Sequence, residues 1–394
     1  MFKVKITFWR VVLAVLLILG AYATFLRFFR GLGASTNLSD AFPWGIWIGF
    51  DVMCGVMLAA GGFTLTAAVY LFNLKKFKSI VRPTVLTAFL GYQLVVVGLL
   101  FDIGRSYRLW HPLVMWNPHS VMFEVAWCVT LYSIVLSLEF GGVLFERFQL
   151  TKLMQIQKSL LIPLVIAGVL LSTLHQSSLG SLYLIVPNKL YPLWYTPLLP
   201  VLFFLSAICV GLAMTIFESS MSAKHFGKQL ELPIIQSLGR TLLVVLCIYT
   251  AVRLDDLLHR GVLGLLRKPG WETAVFILEI CLVSVAPITL LLIRKVRQSP
   301  NGLYLTSVLC LLGFVANRLN VAITGMEAAS GHRYIPKWTE VTVTLAIIAF
   351  GFLVFALCAK YLPIFSHEAV PEGAPAVEAE TIVAEVRELS NVET

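Results

Sequence analysis

The stretch Gly45–Phe72, GIWIGFDVMCGVMLAAGGFTLTAAVYLF, decides the fold. A bilayer crossing needs about 20 mostly apolar residues in a helix, and this run exceeds that while holding one charged side chain, Asp51. Similar runs lie on either side of it: Phe8–Phe28 before it, then Val81–Arg105, His119–Phe145 and Gln157–Gly180. The second half repeats the pattern at Leu198–Ser222, Ile234–Arg260, Trp271–Arg294, Gly302–Gly325 and Trp338–Lys360. The apolar residues are continuous, not alternating, so the runs read as helices and not as strands of a membrane barrel. A chain of 394 residues that is 58% hydrophobic and 13% charged is no ordinary soluble protein. The sequence describes an all-α polytopic membrane protein with about ten transmembrane helices.

Lysine and arginine in the short loops orient such a chain. One face collects 17 of them, including Lys75, Lys76, Lys78, Arg82, Arg147, Lys158, Arg294 and Arg297. The opposite face collects 10, among them Arg30, Arg105, Arg267, Lys268 and Arg333. The expectation is that both termini are cytoplasmic and that the second face is periplasmic, in the inner membrane of a bacterium. Residues 1–362 then form the membrane domain, and 363–394 a cytoplasmic tail with seven glutamates and one arginine. Poor in large apolar residues, the tail reads as disordered. The net charge of +9 is mainly this topology signal, so nucleic acid is not an expected partner. The first helix also resembles a signal peptide, with Ala21-Tyr22-Ala23 at a cleavage position, but its apolar character continues through Phe28.

Several ionisable residues fall at one depth. Asp51, Glu124, His175, Arg253, Asp255, Glu279 and Arg318 all lie some five to eight residues inside the second face, roughly 8–12 Å at about 1.5 Å per residue. A charge in hydrocarbon costs about 2.5–3.5 kcal/mol on the insertion scale, so such groups normally face the bundle interior and serve a function. Glu124 and His175 are at matching depth on consecutive helices, and both residue types can exchange protons near neutral pH. The alternative is a polar bridge that locks the two helices. Arg253 and Arg318 are expected to neutralise some of Asp51, Asp255, Glu124 and Glu279, either around a ligand or as an internal ion-pair network. Toward the basic face Tyr92, Glu139 and Glu218 form a sparse proton ladder, or else the two glutamates reach the headgroups.

Two redox cofactors find no ligands. The seven cysteines stand singly in apolar runs without metal-ligand spacing, which argues against an iron–sulfur cluster or another metal site in the chain. A b-type haem needs facing histidines, and only His175 is deeply embedded.

The segments FPWGIWIGFDVMCGVMLAAGGF, FDIGRSYRLWHP, NPHSVMFEVAW, LHQSSLGSLYLIVPNKLYPLWYTP and TIFES, in this order, resemble the NrfD/polysulfide reductase membrane-subunit family, and within it the HybB-type hydrogenase branch. The resemblance spans Phe8 to Lys360. It implies two four-helix bundles, helices two to five and six to nine, with the first and last helices peripheral. It further implies a (mena)quinone site with no haem in the chain. An iron–sulfur subunit would dock on the outer face and connect it to a catalytic subunit, a nickel–iron hydrogenase. Proton-handling residues of that branch correspond to Tyr92, Glu124, His175 and Glu218. The quinone is expected among Asp51, Glu124, His175, Arg253, Asp255 and Arg318, with Glu124 and His175 closest to the chemistry and Tyr92, Glu139 and Glu218 on the proton path. Two other assignments use the same features: an NrfD-like subunit of a sulfite-reduction-associated or multihaem-cytochrome complex, and a transporter or ion channel whose substrate binds the charge layer.

Overall fold

The computed structural model describes residues 7–40, 42–185, 190–226 and 230–364. Every regular element among them is helical, and ten helices are long and apolar enough to span a membrane. They are α1 (Phe8–Arg30), α2 (Trp47–Leu71), α3 (Lys75–Asp102), α4 (Val121–Arg147) and α5 (Thr151–Leu182), followed by α6 (Leu199–Lys224), α7 (Leu232–His259), α8 (Trp271–Leu292), α9 (Pro300–Ser330) and α10 (Trp338–Tyr361). The acidic tail lies outside the described residues.

Helices α2 to α5 pack on one another, as do α6 to α9, and the two sets meet where α6 lies against α2 and α5 and where α9 lies against α2. Helix α1 leans on α10, which in turn lies on α3, so the first and last helices flank the first bundle. Apolar association is weak between helices already in lipid, and small residues that admit close backbone contact take its place. Gly211 of α6 shows this directly. A β-carbon there would stand 2.9 Å from the backbone of Ala60 and Gly61, at the turn that interrupts α2.

Four short π-helical segments break the regular winding: Trp47–Val52, Ala67–Leu71, Cys281–Val285 and Asn320–Thr324. Such bulges rotate the following side chains and are common at functional sites. Three of the four bear on the buried polar groups, since Asp51 and Asn320 lie within them and Glu279 lies just before one. At the second face, the connection from α9 to α10 is pinned by Glu340. Its carboxylate accepts bonds from the amides of Asn37 and Lys337 and, at 2.5 Å, from the Tyr334 hydroxyl. Burial first, and the Glu340 side chain beside it, push the Tyr334 phenol upward.

Candidate functional site

The site is built from one face of α5 set against α3 and α4. Ser172, His175 and Ser178 recur every three residues and so project to one side of the helix. His175 and Ser172 are fully buried. The His175 Nδ1 lies 3.1 Å from the Tyr92 hydroxyl of α3. Phenol is the natural donor in that pair, so Nδ1 accepts and the imidazole proton sits on Nε2. Nε2 is buried and has no hydrogen-bond partner. A buried N–H without a protein partner is uncommon in a protein interior, and it suits a carbonyl oxygen.

Glu124 does not meet His175 directly. Its Oε1 lies 2.6 Å from Ser178 Oγ, which also lies 2.7 Å from the Leu174 carbonyl. A hydroxyl has one proton, so Ser178 can donate to the carboxylate or accept from the protonated acid while keeping its backbone bond. The expected embedded position of Glu124 is corrected: α4 starts at Val121, so Glu124 is in its first turn and exposed at the bundle rim. Glu124 is thus tied to Ser178, one turn beyond His175 on α5, and Ser178 makes no hydrogen bond to the imidazole.

The rest of the charge layer separates into two further places. Asp51 accepts from Thr344 Oγ1 of α10 at 2.9 Å and packs beside Gly98 of α3. Glu279 of α8 is buried in the second bundle and accepts three bonds from neutral donors: Trp194 Nε1 at 2.8 Å, Asn317 Nδ2 at 2.7 Å and Asn320 Nδ2 at 2.7 Å. Arg253 donates to the Leu193 carbonyl at 2.8 Å. Arg318 donates to Ser206 Oγ at 2.7 Å and to the Phe203 carbonyl at 3.2 Å, its guanidinium 3.4 Å from the centroid of the Phe203 ring.

The expected neutralisation of carboxylates by Arg253 and Arg318 is therefore overturned. Among the described residues the side-chain ion pairs are Arg82–Glu146, His259–Asp255 and Arg260–Asp256. Neutral donors bind the Glu279 carboxylate, and carbonyls with the Ser206 hydroxyl take up part of each guanidinium, without a second desolvated ion, whose cost can exceed the Coulombic gain. Asp255 is also corrected, because it faces outward and pairs with His259 at the surface. Its neighbour Asp256 is buried instead, bonded to Thr196 at 2.5 Å and to Arg260 at 2.7 Å. The sequence places Asp256 beside Arg253 and Asp255 without giving it a role, although the Asp256–Arg260 spacing of one helical turn was visible.

Toward the basic face, Glu139 lines a cleft of about 200 Å³ between α2, α3, α4 and α5. Glu218 of α6 is enclosed instead, with the Thr87 side chain of α3 close by and no hydrogen bond at either oxygen. Tyr132 and Ser172 were missed in the sequence. Their signal is spacing alone: Tyr132 is seven residues before Glu139, and Ser172 three before His175.

The model of the polysulphide reductase NrfD family matches residues 34–328, three quarters of the chain and all the helices that build this site. The chain belongs to the NrfD family. A Nitratidesulfovibrio vulgaris protein is 40% identical over 90% of this chain and 93% of its own length. A probable Ni/Fe-hydrogenase 2 b-type cytochrome subunit of Escherichia coli is 32% identical over 86% of this chain and 87% of that one. A menaquinone reductase integral membrane subunit of N. vulgaris is 30% identical over 93% of each. The words b-type cytochrome in one relative's name imply haem, and the residues of this NrfD-family chain do not fit one. His175 is the one buried histidine among the described residues, while His119, His259 and His332 are exposed and His111 is half-buried, so no second buried histidine opposes it there.

Proposed function

We propose that this chain is the quinone-reactive membrane subunit of a respiratory oxidoreductase complex, in which electrons pass between an iron–sulfur subunit docked on the lysine-poor face and the menaquinone pool. The observation that carries the reading is the buried His175, held at Nδ1 by Tyr92 and left with Nε2 free. A quinone takes up two electrons and two protons on becoming a quinol. His175 Nε2 would bind and orient a quinone carbonyl, and Tyr92 keeps the imidazole in the tautomer that donates there. Glu124, at the rim and hydrogen-bonded to Ser178 one turn beyond His175 on α5, would exchange a proton with the quinone. Asp51, Arg253 and Arg318 do not converge on His175 in the chain, and we assign them to shaping the bundles around the site.

The hydrogenase relative supports a nickel–iron hydrogenase as the catalytic partner, reached through the iron–sulfur subunit. The lysine distribution supports a bacterial inner-membrane protein with both termini in the cytoplasm, and hence a periplasmic docking face. Proton uptake from the cytoplasmic side through Glu139, Glu218 and Tyr92 would make turnover electrogenic.

The test is gentle purification of the tagged chain from its native membrane, with assay of bound quinone and copurified subunits. Menaquinone together with iron–sulfur and hydrogenase subunits supports the reading, and His175→Gln should then lose quinone-linked turnover. A chain that comes without redox partners or quinone overturns it.

A further inference from the structure

A line of polar groups runs from His175 toward the basic face, and most of it has no role so far. Tyr92, Tyr132, Ser172 and His175 are all essentially inaccessible to solvent. The Tyr92 and Tyr132 rings meet edge to face with centroids 4.5 Å apart. The Ser172 side chain adjoins both phenols, yet neither its hydroxyl nor that of Tyr132 closes a hydrogen bond of ordinary geometry. Unsatisfied hydroxyls in such a row are costly unless something uses them.

The line continues to a surface. Tyr132 and Glu139 share a face of α4, seven residues apart, and Gly168 of α5 lies opposite them. A β-carbon at Gly168 would stand 3.5 Å from the Tyr132 ring and 3.7 Å from Glu139 Oε1. Ring and carboxylate, with the Val135 methyl, thus border one small gap that a side chain at residue 168 would fill, and a proton would cross it through one water. Beyond it Glu139 lines the 200 Å³ cleft with Tyr70, Arg82, Glu146 and Lys158. The Arg82–Glu146 bridge there is 2.8 Å long and exposed. Glu218 is not among the residues lining this cleft.

We propose that Glu139, Tyr132, Ser172, Tyr92 and His175, in that order, form the proton route between the basic face and the quinone site, with the cleft as its mouth. The route rests on the quinone reading above. Each hydroxyl passes on its own proton and receives the next; His175 gives its Nε2 proton to the quinone and takes one from Tyr92 at Nδ1, and the imidazole and hydroxyls turn back before the second transfer, so no group in the line stays charged. For every two electrons delivered by the iron–sulfur partner, two protons leave cleft water at Glu139 and two arrive at the quinone oxygens. In oxidation the same two protons return to the cleft.

The test uses the intact complex reconstituted in menaquinone-containing vesicles, with a pH dye on the basic side. Tyr132→Phe keeps the ring and removes the hydroxyl, Glu139→Gln removes the exchangeable proton, and Gly168→Ala fills the gap without a steric clash. Bound quinone and subunit content should stay at wild-type levels in each, which establishes assembly. Turnover should fall at least tenfold in the first two and severalfold in the third, with loss of proton uptake from the basic side. Wild-type turnover and uptake in Tyr132→Phe and Glu139→Gln, while His175→Gln is inactive, would overturn the route and leave the quinone reading standing. Wild-type quinone content and turnover in His175→Gln would overturn the quinone reading and the route with it. If Glu139→Gln does not assemble, Tyr132→Phe decides.

Discussion

His175 occupies a position where one hydrogen bond sets the chemistry of the other ring nitrogen. The Tyr92 hydroxyl fixes Nδ1 as acceptor, which leaves Nε2–H for a ligand. Tyr92→Phe should remove this control and keep the packing, because the ring still fills its place against Tyr132. The expected cost is about 1 kcal/mol of stability, the net worth of one buried hydrogen bond, with a fall in quinone turnover of about tenfold or more. Thermal unfolding in detergent and steady-state quinone assays read the two effects separately, and unchanged turnover would remove Tyr92 from the site. Glu279 makes the opposite kind of use of a buried charge. Its carboxylate accepts three N–H bonds and is not paired with a cation. Glu279→Gln turns an N–H toward at least one of those donors, so a loss of about 2–3 kcal/mol is expected from charge-assisted bonds. A midpoint within error of wild type in a detergent melt would contradict this.

Within a single helix, adjacent residues have unlike environments. On α7, Arg253, Asp256 and Arg260 lie on the inward face while Asp255 points out. Asp255→Asn should change stability by less than about 0.5 kcal/mol, as for other exposed positions. Asp256→Asn should cost about 1.5–3 kcal/mol, since it weakens bonds to both Thr196 and Arg260. Equal effects of the two substitutions would show that α7 is rotated about its axis. Where helices meet, the limiting dimension is the backbone itself. Gly211→Val would press a side chain on the Ala60–Gly61 backbone and should cost about 1–3 kcal/mol. Gly33→Ala, with nothing within 4 Å, serves as the neutral control, and folded yield after size exclusion distinguishes them.

Across the whole molecule, the two bundles and the peripheral pair separate the ionisable residues into three places, and sidedness decides which face each addresses. Cysteine labelling checks that sidedness. Asn117 and Gln298 are both exposed, on opposite faces. In intact cells a membrane-impermeant maleimide should label Asn117→Cys, and label Gln298→Cys only after permeabilisation. The reverse pattern would invert the topology, placing the cleft at Glu139 on the periplasmic side. The spans were legible in the sequence because they are properties of local windows: transfer of about 20 residues into hydrocarbon depends on composition and not on neighbours. Segments such as NPHSVMFEVAW and LHQSSLGSLY carried the family by themselves. The grouping of side chains was not legible, because depth is set by position along a helix and partnership by rotation about its axis. Seven residues at one depth therefore read as one layer, although Asp51 turned to α10, Glu279 to Asn317 and Asn320, and Asp255 to lipid and water. A shift of one residue turns a side chain by about 100°, and the π-helical turns near Asp51, Glu279 and Asn320 shift it further. The sequence by itself determined that this is a ten-helix membrane protein of known family with an embedded histidine. Only the tertiary structure decided that His175 answers to Tyr92, that Glu124 bonds Ser178 at the bundle rim, and that the arginines are held by carbonyls and the Ser206 hydroxyl, because those contacts depend on which helix faces which.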